Sequence, residues 1–331
     1  MNVSVVIPIY NGEGFLTDCV ESLDSQTCSD FEAIFIDDAS ADSTVSCLSA
    51  LLENVSFPWR LLQNPTNRGT GHSRNRGIMA ASATYVFFMD VDDTITKDCL
   101  EKLLAAAAQA GYPDVVMADV ACQATDYRYK TGFDGGKHYT DNQSVRQSFF
   151  RHIWYEMPWN KLVRTSFLRK NRLWFAEDCM WEDTPWSFHL ALTARSMVLV
   201  PGVTYRYRVA AGQKVGRTPD YPVTLERLKV FALMDRLARE DGDRNALIWL
   251  NEIATGFLMS VIRNGELTPA EKCYIYEQVR AMCDLCSAVS VLHDSDCTRG
   301  VKAMLLYRFF PKRMGLTFLH LLNKGVERWS H

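Results

Sequence analysis

The sequence predicts an α/β protein, with an open, mostly parallel sheet flanked by helices and a helical C-terminal region. Three observations carry that reading. Short, nearly continuous apolar runs alternate with helical segments over the first 120 residues, and the links between them are short. Beyond Pro222 the segments carry amphipathic stripes of helical period instead. Apolar runs of this kind suit strands buried on both faces, and short strand–helix links require a parallel sheet with right-handed crossovers.

The first run is Val3 to Pro8 (VSVVIP), followed by Phe31 to Asp37, Trp59 to Gln63 and Thr84 to Asp90. Helices are expected over Gly12 to Gln26, Asp42 to Glu53, Gly71 to Ala81 and Lys97 to Ala110. Ser40 or Asp42 is placed to cap the second of these and Thr96 the fourth. Pro113 to Gln123 reads as a further strand. From Ala124 to His152 turn residues and aromatics predict an exposed hairpin or loop, with helical periodicity returning from Gln143. Glu182 to Ala194 reads as a helix and SMVLVPGVTYRYRV as a strand. A boundary within Gly212 to Pro222 divides the chain into a domain over 1–212 and a helical region over 213–331.

Composition narrows the function classes. A chain of 331 residues with a net charge of -3 gives no general reason to expect nucleic acid. Only Met1 and Asn2 precede the first apolar run, a start without a basic leader, and the ten cysteines are scattered, which predicts reduced thiols in the cytoplasm. Cys283-x-x-Cys286 raises zinc, with Cys273, His293 and Cys297 as further ligands. It lacks a second tight pair, so buried structural thiols are expected. No apolar run reaches the roughly 20 residues of a membrane span. Leu305 to Leu322 comes nearest but is interrupted by Arg308 and by Pro311-Lys312-Arg313.

Ligands of such sheets bind beyond the carboxyl ends of the strands. Those ends carry Tyr10-Asn11, then Asp37-Asp38, then Asp90, Asp92 and Asp93, so polar groups converge on one rim. A dinucleotide site is excluded, because Gly12 and Gly14 lack a third glycine at the required spacing. In NRGTGHSRNRGI, Arg74 and Arg76 stand near a helix start, where cations suit a nucleotide's base or phosphates. A solvated basic helix face is the other reading.

FFMDVDDT, Phe87 to Thr94, fits two chemistries. One is a D-x-D-x-T phosphatase with Asp90 as nucleophile. The other is a D-x-D site holding Mg²⁺ or Mn²⁺ against a nucleotide sugar's diphosphate. Three acids within four residues repel one another and are stabilised by a cation. A phosphatase also wants a later lysine and a second acidic strand end, and it begins its domain at this strand. Here the strand is fourth, which disfavours that alternative.

Taken together, VSVVIPIYNGEGFLTDCVESLDSQTCSDFEAIFIDDASADST, NRGTGHSRNRG and YVFFMDVDD resemble the family 2 glycosyltransferases of GT-A fold. MPWNKLVRTSFL and FAEDCMWEDTPWSF are similar to that family's W-x-K-L and (Y/W)-E-D segments. The resemblance implies a metal-dependent, inverting transfer from a nucleotide-sugar donor, a UDP-sugar, to a saccharide or lipid-linked acceptor in surface-polysaccharide synthesis. It implies that Pro8, Ile9 and Tyr10 line a base pocket, that Asp38 accepts from the base and that Arg74 closes over it. Asp90 then faces the ribose or sugar, Asp92 and Asp93 hold Mn²⁺ or Mg²⁺, Asp183 is the general base, and Trp181 and Glu182 shape the acceptor site.

Some positions depart from the pattern. Ala39 stands where the family commonly has glycine, His72-Ser73 precede Arg74 where alanine is common, and Gln213 takes a serine position in YRYRVAAGQKVGR. Glu177-Asp178 is a second acidic pair that competes for the base role. The basic, aromatic tail over 299–331 suits either an interfacial helix pair on anionic lipid, placing the protein at the inner face of the membrane, or a packed helical subdomain.

Overall fold

The computed structural model describes residues 1–122, 128–129, 136–154, 156–208, 220–282, 302–303 and 305–329, together with positions 289 and 292. Most of the Gly212 to Pro222 boundary segment lies outside these residues, as do Cys283, Cys286, His293 and Cys297. The chain forms two compact units, Met1–Asp178 with Glu182–Gln213, and Cys179–Trp181 with Lys214–His331.

In the first unit, β1 (Val3–Ile9), β2 (Phe31–Asp37), β3 (Trp59–Gln63) and β4 (Tyr85–Phe88) are the four apolar runs of the N-terminal half. The short β5 (Thr94–Ile95) is followed by β6 (Val115–Cys122), β7 (Arg128–Tyr129), β8 (Lys137–Tyr139), β9 (Lys161–Arg164) and β10 (Met197–Tyr207). The main path of the sheet runs β3-β2-β1-β4-β9-β6-β10-β5. β1 pairs in parallel with β2 and β4, while β9 enters antiparallel between β4 and β6. That strand is the main departure from the expected topology. At four residues it is too short to show a period, and its buried lysine breaks the apolar pattern that marks the other strands.

Among the described residues this unit also holds α1 (Leu16–Asp24), α2 (Thr44–Leu52), α3 (Thr70–Ala80), α4 (Cys99–Gln109), α5 (Asn142–Phe150), α6 (Thr165–Lys170) and α7 (Asp183–Thr193). Gly12 to Gln26 divides into a 3₁₀ turn at Glu13–Phe15 and then α1. β3 is the edge strand and is only half-buried, unlike the fully buried β1 and β2, because among the described residues its outer side has no partner strand. Neither Ser40 nor Asp42 is the cap residue of α2, which is Ser43. Asp42 instead accepts from the Thr44 N–H (3.0 Å) in a local turn. Asp98 precedes α4 in place of Thr96, which donates its hydroxyl to Asp98 (2.8 Å).

The second unit contains α8 (Tyr221–Asp241), α9 (Arg244–Arg263), α10 (Pro269–Met282) and a final helix, Lys312–Trp329. Its core gathers Leu228, Leu258, Ile275, Tyr276, Val279 and Leu319. Among the described residues α9 alone is long and apolar enough to cross a membrane, and 61% of its apolar window is buried inside the protein. Arg308, one of the tail's cations, is also buried: it donates to the Arg280 carbonyl (2.9 Å) and to Asn251 Oδ1 (3.1 Å).

Candidate active site

The rim at the carboxyl ends of β1, β2 and β4 is built by loops that hydrogen-bond to one another. Asn11 leaves β1 with φ near 50°, its N–H donates to Ser40 Oγ (2.9 Å), and its side-chain oxygen accepts from the Ala41 N–H (2.8 Å). The Gly12 N–H donates to Thr44 Oγ1 (2.9 Å), so the loops after β1 and β2 form one ledge. Of the three residues expected to line a base pocket, Tyr10 alone presents its side chain, at 50% exposure. Pro8 and Ile9 lie within the strand, and Ile9 packs into the apolar core of the unit.

Asp38, expected to accept from a base, has its hydrogen bonds within the protein. It is buried, and both carboxylate oxygens point into the protein. They accept from the backbone N–H of Arg68 (3.0 Å) and of Gly69 (2.7 Å), and from Asn64 Nδ2 (2.6 Å). Asp38 therefore clamps the turn that starts α3. The glycines of the same motif set how closely α3 packs. A Cβ at Gly77 would stand 2.2 Å from the Val6 side chain, and one at Gly71 2.4 Å from the Ala176 carbonyl oxygen.

That packing delivers Arg74 to the centre of the site. Its guanidinium is buried, donating to Asp90 Oδ1 (2.7 Å) and to Glu182 Oε1 (2.6 Å), and lies 5.3 Å from the Phe175 ring centroid. Arg74, expected to close over a base, here bridges the end of β4 and the residue preceding α7. Asp183 opens α7 beside this bridge, partly buried, with Oδ1 accepting from the Thr184 N–H (2.9 Å). Burial raises its carboxyl, with the Arg74 charge opposing. Burial likewise lifts Glu182 to about 7 against the pull of Arg74.

Asp92 and Asp93, paired in the sequence reading as metal ligands, have different surroundings. Asp93 is enclosed: Tyr205 Oη donates to its Oδ2 (2.6 Å) and the Arg208 N–H to its Oδ1 (2.8 Å). Tyr205 Oη also accepts from the Asp90 N–H (3.1 Å), which fixes the whole acidic turn to β10. The Tyr205 ring stacks on Trp159 at 4.7 Å, giving the tryptophan of the W-x-K-L segment a positioning role. Asp93 thus shapes the turn, and Asp92 is the partly exposed member. Burial and the neighbouring Asp90 charge push Asp92 up to about 6.

No group of three His, Cys, Asp or Glu residues among the described ones is arranged to hold a metal. The acidic turn nevertheless fits a divalent ion. Its hard oxygens are crowded enough to favour protons over mutual repulsion, and Mg²⁺ and Mn²⁺ sites of this type take one or two carboxylates with ligand phosphates completing the shell.

Two residues given no site role from the sequence stand near Asp183. Lys161 is fully buried on β9, donates to Asn160 Oδ1 (3.0 Å) and to the Met157 carbonyl, and has its ammonium lowered to about 7 by burial, with Asp183 opposing. Glu156 accepts from Thr184 Oγ1 (2.9 Å). Lys161 is the lysine of the W-x-K-L segment but was given no role there, and Glu156 left no signal in the sequence. Glu177, the rival acid, is held by His72 (3.0 Å), Arg68 (3.1 Å) and Asn75 (3.2 Å), which together keep its carboxyl low. Trp181 belongs to the second unit, where Arg227 lies 5.1 Å from its ring centroid.

The family model described as Glycosyl transferase family 2 matches residues 4–172. EpsH of Bacillus subtilis (strain 168) is 31% identical over 220 residues, covering 65% of this chain and 63% of that protein, so the match spans less than two thirds of EpsH. The uncharacterized glycosyltransferase YibD of Escherichia coli (strain K12) is 27% identical over 262 residues, covering 73% and 72%. Among solved structures, S. aureus TarS 1-349 superposes with a TM-score of 0.76 at 18% identity, over 100% of this chain and 92% of that one, a likeness of fold.

Proposed function

The chain belongs to glycosyltransferase family 2, and on that premise we propose that it is an inverting, metal-dependent glycosyltransferase moving a sugar from a UDP-sugar to a saccharide or lipid-linked acceptor. The observation that carries the reading is the Asp90–Arg74–Glu182 bridge, which sets a donor-side acid beside Asp183 at the head of α7. A uridine donor is supported by the TarS structures in complex with UDP and with UDP-GlcNAc, as ligands of that protein.

In this reading Asp183 takes the acceptor hydroxyl's proton as that oxygen attacks the anomeric carbon opposite the departing nucleoside diphosphate. A raised carboxyl suits that task, because a base of higher pKa holds the proton better. Arg74 positions Asp90 toward the ribose or sugar and Glu182 toward the acceptor side. Tyr10 offers its ring to the base, and the Tyr205 hydroxyl holds the acidic turn in place. Asp92 is the residue that would hold Mn²⁺ or Mg²⁺, with Asp93 behind it. The ion, when bound, offsets charge growing on the diphosphate.

Asp183→Asn separates binding from transfer. UDP affinity measured by calorimetry is expected to stay within about two-fold while turnover falls by roughly 10²–10⁴. Transfer at the wild-type rate would refute the base assignment. The phosphatase alternative draws no support from family membership. Metal-dependent phosphate release from simple phosphomonoesters, without nucleotide binding, would overturn the transferase reading.

A further inference from the structure

The opposite edge of the same sheet holds a polar cavity that the transfer chemistry does not use. β6 begins after Asp114, β10 after Arg195 and Ser196, and the antiparallel β9 ends at Arg164, so these residues share the amino edge of the parallel strands. The acids at the end of β4 lie at the other edge. Here α5, α6 and α7 enclose a cavity of about 590 Å³, within the size range of small-molecule sites.

Its lining is strongly cationic. Arg146, Arg164, Lys170 and Arg195 all border it, against a single acid, Asp114. That acid is already occupied: one oxygen accepts from the Arg195 N–H (2.9 Å), and the other reaches Arg164 only at 3.7 Å. Arg164 Nε is buried with no hydrogen-bond partner. Lys170 and Arg195 are exposed and have no ion pair among the described residues. Ser166, Asn171 and Thr193 add neutral hydrogen-bonding groups. Arg146 is partly committed, donating to Asn142 Oδ1 and to the Leu192 carbonyl (2.6 Å), and Asp114 offsets part of the charge. The exposed Lys170 and Arg195 leave a net positive wall whose concavity focuses its field.

We propose that this cavity binds a small, multiply charged phosphate ester, with guanidinium groups on the phosphate and Ser166, Asn171 and Thr193 on attached hydroxyls. Guanidinium forks match phosphate oxygens in geometry as well as charge. The same chemistry is offered by a soluble sugar phosphate and by the headgroup of an anionic lipid.

Inorganic pyrophosphate is the probe, titrated calorimetrically in EDTA into the full chain and into a Lys170→Glu/Arg195→Glu double variant. Both positions are exposed and lie outside the proposed active site, and an unchanged melting temperature reports that the variant is folded. The wild type is expected to bind, with at least ten-fold weaker binding in the variant. Equal affinity in the two proteins, or no binding by the wild type at millimolar pyrophosphate, overturns the site. A sedimentation arm with phosphatidylglycerol and phosphatidylcholine vesicles assigns the source. Anionic-vesicle binding that the variant loses identifies a lipid headgroup, whereas pyrophosphate binding without vesicle binding identifies a soluble ester.

Discussion

The two edges of the sheet treat charge in opposite ways. At the carboxyl edge, acids crowd together and are tied into the fold: Asp38 by backbone N–H groups, Asp93 by Tyr205, Asp90 and Glu182 by Arg74. At the amino edge, cations line an open cavity, and two of them stay exposed and without an ion pair among the described residues. A fixed, partly buried charge holds its position while a reaction proceeds, and its desolvation shifts its pKa. An exposed charge in a cavity is available to a diffusing ion. The first arrangement suits chemistry and the second suits capture.

Perturbing the acidic edge tests that contrast, and the largest effect expected is the loss of turnover in Asp183→Asn. Next comes Arg74→Met, which leaves Asp90 and Glu182 facing each other without their shared cation. Removing one partner from a buried charged network costs about 3–5 kcal/mol, so the urea midpoint falls sharply. A midpoint near that of the wild type would mean the bridge is not structural.

Tyr205→Phe removes one hydroxyl that serves both Asp90 and Asp93, at a cost of about 1–3 kcal/mol for groups left unsatisfied. UDP affinity in Mn²⁺ should weaken as well, because the acidic turn loses its anchor. Retained affinity would place the anchoring elsewhere.

Glu182 supplies a pH test. Its folded-state carboxyl, at about 7, lies above the ordinary 4.5, so between these values the folded protein binds the proton more tightly than the unfolded chain. The stabilising contribution is full below about 4.5 and is lost as pH rises through about 7. Melts across pH 4.5–8 should decline less steeply in Glu182→Gln, and identical slopes would reject this assignment. The smallest effect belongs to Ala39, which has φ near 61° where a glycine is at ease. Ala39→Gly should raise stability by up to about 1 kcal/mol in chemical denaturation, since a left-handed residue bearing a Cβ is strained.

The sequence determined the strand–helix alternation, the rim and its acids, and the family, because apolar runs of period two or none and strand-end carboxylates are local properties. Tyr10, Asp90 and Asp92 were legible in this way as rim positions, whereas Asp183 was singled out only through the family resemblance of its W-E-D segment. Tertiary structure decided which way each charged group faces. Asp38 turned inward because the Arg68–Gly69 backbone brought donors to it, and Asp93 because Tyr205 arrives from a strand more than a hundred residues later. Arg74 bridges two acids only because Gly71 and Gly77 let α3 approach its neighbours closely. The cationic cavity was illegible for the same reason. Arg146, Arg164, Lys170 and Arg195 share no motif, and only the folding of β9 between β4 and β6 brings them to one edge. Local sequence fixes secondary structure and the chemistry on offer, while hydrogen-bond satisfaction and close packing between distant segments select which groups face a ligand.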